Sequence, residues 1–86
     1  MSLNYKEALA KAESYDAKLR ADDCRFNQCV QIISQDCATV LFYDNAFVMK
    51  DDEWYYIFTE HYGRHVFHQE DVKIRHYIKP LIDELK

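Results

Sequence analysis

Between Trp54 and His68 the chain carries its only tryptophan, its only glycine and three of its four histidines. β-Branched and aromatic side chains dominate this run on both sides of a Tyr62-Gly63 pair, which is the pattern of a β-hairpin. Gly63 accepts a positive φ without a Cβ penalty, so the spacing predicts a tight turn there. The first arm is apolar on both faces. Trp54, Tyr56 and Phe58 alternate with Tyr55, Ile57 and Thr59, and successive strand residues point to opposite sides. A short chain with such a strand must cover one sheet face with other elements and account for the second. That requirement organises the rest of the sequence.

Leu3 to Arg20 is predicted helical, with Leu9, Ala12, Tyr15 and Leu19 repeating at helical intervals and Ala8 widening the stripe. Ala21-Asp22-Asp23 ends it. Cys24 to Ser34 fits helical spacing through Phe26, Cys29, Val30 and Ile33. The β-branched Val30, Ile32 and Ile33 favour a strand, and a strand gives the next segment a hydrogen-bonding neighbour. Further strands are expected over Cys37 to Tyr43, Ala46 to Lys50, Glu53 to His61 and Arg64 to His68. The turns between them fall at Gln35-Asp36, Asp44-Asn45, Asp51-Asp52 and Tyr62-Gly63. Acids at Glu70-Asp71 and apolar positions at Val72, Ile74, Ile78, Leu81, Ile82 and Leu85 predict a C-terminal helix, interrupted near Lys79 by Pro80. The expected fold is α+β. An N-terminal helix, an antiparallel meander of about five strands and a C-terminal helix form a single domain over residues 1–86, with both helices on one sheet face.

Composition narrows the function. The 86 residues carry a net charge of about −4, without the basic stripe that phosphate neutralisation requires, so no nucleic-acid partner is expected. No run approaches the roughly 18 apolar residues of a membrane span, and residues 1–20 lack the apolar core of a signal peptide. With an odd set of cysteines, Cys24, Cys29 and Cys37, in apolar surroundings, a cytoplasmic setting with reduced thiols is expected. A single glycine cannot build a phosphate-binding loop, and no serine lies in a nucleophile motif.

A two-residue turn at Tyr62-Gly63 would set Glu60 opposite His65, where cross-strand Cβ atoms lie about 5 Å apart. Such a pair could work as an acid/base couple, but no nucleophile or oxyanion donor accompanies it, so a register-fixing ion pair is the simpler expectation. His61, His65 and His68 share a spacing that brings metals to mind, yet His65 and His68 point to opposite faces of a strand, and no metal or other cofactor is expected.

What remains is a non-enzymatic protein-interaction module, either a homodimer joined through the second sheet face or the receptor of a protein partner. The expected contact residues are Trp54, Tyr55, Tyr56, Glu60, His61, Tyr62, Arg64 and His65, because Trp, Tyr and Arg most often anchor interfaces. One alternative is a small inhibitor or immunity-type protein that binds through acidic turns such as Asp51-Asp52-Glu53. Another is a small-ligand binder or enzyme that uses Glu60, His61, His65 and His68.

Overall fold

The computed structural model describes residues 3–22 and 26–77. The chain runs α1 (Tyr5–Ala21), β1 (Gln28–Ser34), β2 (Val40–Asp51), β3 (Trp54–Thr59), β4 (Arg64–His68) and β5 (Val72–His76). The strands form one antiparallel sheet in the order β4-β3-β2-β1-β5.

Helix α1 begins at a reciprocal cap. Asn4 accepts from the Glu7 amide at 2.8 Å, and Glu7 accepts from the Asn4 amide at 3.1 Å, which satisfies two donors that the helix leaves free. Its buried stripe is Ala8, Ala12 and Asp16. The two alanines have no side chain to hold the helix off, so it sits close on Trp54, Tyr56 and Phe58. Leu9, expected in this stripe, lies beside it and is exposed.

Two sequence expectations fail on β2. The segments expected as separate strands over 37–43 and 46–50 are one strand, and Asp44-Asn45 does not reverse the chain. Against β1, Gln28 pairs with Ala46 and Val30 with Tyr43, so β2 spends one residue more than β1 over this stretch. That is a bulge, which bends the strand without ending it. Beyond the bulge β2 exchanges neighbours. Its first half pairs with β1 and its second half with β3, and Ala46 pairs with both Gln28 and Thr59.

A further expectation fails at the C-terminal end of the sheet, where no helix forms between Val72 and His76. These residues make strand β5, paired with β1 from Val30↔His76 to Ser34↔Val72. The physical reason is alternation. Val72 and Ile74 face inward while Lys73 and Arg75 face out, a period of two that suits a strand and not a helix. The acids read as a helical first turn form a tight reversal, in which the Asp71 amide donates to the His68 carbonyl at 2.9 Å. Among the described residues the fold is therefore one helix on a five-stranded sheet whose last strand returns beside the first. These residues do not form the two-helix, five-strand meander expected. The continuation of that helix over 78–86, with the break near Lys79 and Pro80, lies outside the described residues, as does Cys24.

The second sheet face is largely closed by the sheet itself. Val30, Ile32 and Val72 from β1 and β5 share a buried cluster with Ala46 and Ile57 across the bulge, and Tyr43, Val48, Tyr55, Phe67 and Ile74 pack against it. The aromatic face expected to await a partner is mostly spent on this internal core. Helix α1 contacts β3 and β4, and among the described residues no helix covers β1, β5 or the first half of β2 on this outer side.

Candidate functional site

The hairpin differs from its sequence reading by three positions. Phe58 pairs with Arg64, Ile57 with His65, Tyr56 with Val66, Tyr55 with Phe67 and Trp54 with His68. The connection is Glu60 to Gly63, not a two-residue loop. Thr59 causes the difference. Its hydroxyl donates to the Gly63 carbonyl at 2.7 Å and accepts from the Tyr62 amide at 2.9 Å, while its own amide donates to Gly63 at 2.9 Å. Gly63 has φ 77°, the positive value expected of it. A shift by an odd number of residues exchanges the faces, so the Glu60–His65 pair does not form. Glu60 lies instead beside His61, at 3.7 Å.

The remaining histidines are held separately. His65 stacks on Tyr43, with centroids 5.3 Å apart, and burial pushes its imidazole pKa below the ordinary value against an opposing hydrogen bond to the Tyr62 backbone. His68 lies 3.2 Å from Glu53, and His76 lies 3.1 Å from Gln28. Among the described residues, no three histidine, cysteine or acidic side chains gather as a metal site.

The expected contact residues also separate. Trp54 and Tyr56 are core. The indole N–H of Trp54 donates to the Leu3 carbonyl at 2.8 Å, and Tyr56 is fully buried and donates to Asp51 at 3.1 Å. Arg64 is engaged by Asp16. Tyr55 packs at the margin of the inner cluster, with Lys50 over its ring at 5.7 Å. Of that set, His61 and Tyr62 are left lining a surface depression.

That depression is a cleft of about 290 Å³ lined by Phe42, Tyr43, Asp44, Asn45, His61 and Tyr62. It lies where the bulge of β2 meets the β3–β4 turn, joined there by the Glu60 amide donating to the Asn45 carbonyl at 3.0 Å. The rings of Tyr43 and Tyr62 meet at 6.1 Å with a 47° tilt and form a corner. Phe42 stands outside it, 61% exposed, with Tyr77 edge-on at 5.8 Å. The Tyr77 hydroxyl donates to Asp44 at 2.6 Å, and that bond helps push the phenol pKa up to about 12.

Beside the cleft the backbone of β2 is open. Pairing with β3 starts at Ala46, so the preceding residues of β2 have a strand neighbour only on the β1 side among the described residues. Ser34 donates to the Thr39 carbonyl, which fixes the phase of the ladder. Leu41 and Tyr43 then turn their amides and carbonyls toward β1, and Val40 and Phe42 turn theirs toward the open side. Val40, Leu41 and Phe42 are all exposed. Sequence reasoning missed this edge because it treated Asp44-Asn45 as a turn with a paired strand on either side. The available signal was the unalternating run Val40-Leu41-Phe42-Tyr43, too apolar for a solvated strand.

Family models, curated proteins and solved structures were each compared with the chain, and none matches it.

Proposed function

We propose that this chain is a non-enzymatic interaction module that accepts an extended segment of a partner protein as an added strand on the open edge of β2. The observation that carries this reading is the coincidence of ladder positions at Val40 and Phe42 that no described residue fills with exposed apolar side chains and an adjoining cleft. Added strands gain affinity from main-chain hydrogen bonds and specificity from pockets beside the edge. The other outer edge at this end of the sheet, β5, carries Lys73 and Arg75, charges of the kind that protect an edge from pairing. The open stretch of β2 carries no charge before Asp44.

A second copy of the chain is the simplest occupant and corresponds to a homodimer. Sedimentation velocity across a wide concentration range separates self-association from a distinct partner. The general reading is tested with a photo-crosslinking residue at position 42, compared with one at Lys18 on the exposed side of α1. Adducts formed from position 42 and abolished by Tyr62→Ser support it. Equal adducts from both positions would contradict it.

A further inference from the structure

Resting on the reading of this edge as a strand-accepting site, we propose that the adjoining cleft selects a cationic side chain, a lysine-like ammonium or its methylated form, from the incoming segment. The lining combines aromatic rings with a carboxylate. Tyr43 and Tyr62 meet as a tilted corner, Phe42 flanks the mouth, and Asp44 and Asn45 form the polar wall. Ring faces carry negative electrostatic potential and attract ammonium groups, most strongly when several rings surround the charge. An apolar partner side chain would find the same rings but would offer nothing to the Asp44 oxygen that Tyr77 does not engage.

The charge balance points the same way. One Asp44 oxygen accepts from Tyr77 at 2.6 Å, and among the described residues no lysine or arginine forms an ion pair with this carboxylate. Glu60 and His61 also stand at the rim, 3.7 Å apart, beside the phenols of Tyr43 and Tyr62. Asp44 and Glu60 give the rim its acidic side chains, in line with a whole-chain charge of about −4. A cation is therefore drawn toward the cleft by the surrounding field and held there by the rings. The cleft, at about 290 Å³, is at the small end of ligand sites and suits one side-chain head group.

The test uses three probes on isotopically labelled full chain, followed by amide chemical shifts. Choline supplies the cation without a peptide backbone, N-acetyl-lysine methylamide supplies both, and N-acetyl-norleucine methylamide supplies the backbone with a neutral side chain. Choline and the lysine probe are expected to move the amides of residues 42–45, 61 and 62, and the norleucine probe to bind about tenfold more weakly. Asp44→Asn, which keeps an oxygen acceptor for Tyr77, is expected to bring lysine binding down toward the norleucine level. Tyr62→Ala is expected to weaken choline and lysine together. Equal binding of lysine and norleucine at the cleft would overturn cation selection and leave the strand-accepting edge standing. An absence of cleft shifts with any probe at millimolar concentrations would overturn it as well. Choline binding at the cleft without crosslinking from position 42 would uphold the cation site and remove the edge reading.

Discussion

Asp16, in the buried stripe of α1, accepts from Arg64 at the first position of β4 at 2.9 Å, while its other oxygen accepts from Arg20 at 2.8 Å. Arg20 extends the network by donating to the Thr59 carbonyl at 2.9 Å and lying over the Phe26 ring at 5.0 Å. One carboxylate thus ties the helix to the end of β3 and the start of β4, on either side of the turn that walls the cleft. Asp16→Ala leaves two arginines without their shared acceptor and is expected to destabilise the fold by about 3 kcal/mol. Arg64→Met removes a partly exposed partner and is expected to cost only about 1 kcal/mol. Urea unfolding of both variants measures this; an Asp16→Ala midpoint equal to the parent's would refute the role assigned to the network.

Ala46 is fully buried at the position where β2 passes from β1 to β3. Neighbours from both halves of the sheet close around it, so added methylenes have nowhere to go. Ala46→Leu is expected to destabilise by about 1–3 kcal/mol. Phe42→Ala on the open edge is expected to change stability by no more than about 0.5 kcal/mol. The contrast between the two in thermal denaturation checks the placement of both.

His65 gives the fold a pH dependence whose sign follows from its burial. Its folded-state pKa lies below the ordinary value near 6.5, so below that pH the unfolded chain takes up a proton that the folded chain resists. The contribution is intact above about pH 6.5 and is lost as pH falls through the folded-state pKa. His65→Gln is expected to flatten this part of the stability–pH curve. Titration of the His65 ring by proton NMR should give a midpoint below the ordinary value near 6.5, and a midpoint above it would contradict the burial argument.

Tyr77 is expected to titrate near pH 12, because its hydroxyl donates to Asp44. Tyr56 should ionise later still, being desolvated and bonded to Asp51. Tyrosine ring-carbon NMR resolves the two. Asp44→Ala, which removes the acceptor, should return Tyr77 toward 10, and an unchanged midpoint would show that the Asp44 bond does not form in solution.

Much of this architecture is legible residue by residue, and its misreadings share one cause. The N-terminal helix, the β-branched preference of β1 and the positive φ of Gly63 follow from local rules, and local rules hold there because nothing distant competes. Asp44-Asn45 has the tolerance for unusual backbone geometry that a turn needs, but a bulge uses the same tolerance, and only the partner strand decides between them. Glu70-Asp71 suits a helix start equally well as a reversal, and the decision falls to β1, whose second edge needs Val72 to His76 as a neighbour. The hairpin register depends on the Thr59 hydroxyl, which favours a longer connection over the two-residue turn. His61 and Tyr62 are among the expected contact residues and line the cleft. Phe42, Tyr43 and Asp44 are not among them, because the cleft exists only once β3 leaves the side of β2.

The open edge of β2 is tested most directly by site-resolved amide hydrogen exchange across Val40, Leu41, Phe42 and Tyr43 in dilute protein. Leu41 and Tyr43, whose amides face β1, should exchange slowly, and Val40 and Phe42, whose amides face the open side, should exchange fast. Addition of a bound strand should then slow Val40 and Phe42 selectively. Equal protection of all four amides in the free monomer would mean that the edge is already covered, and would contradict a strand-accepting function at this site.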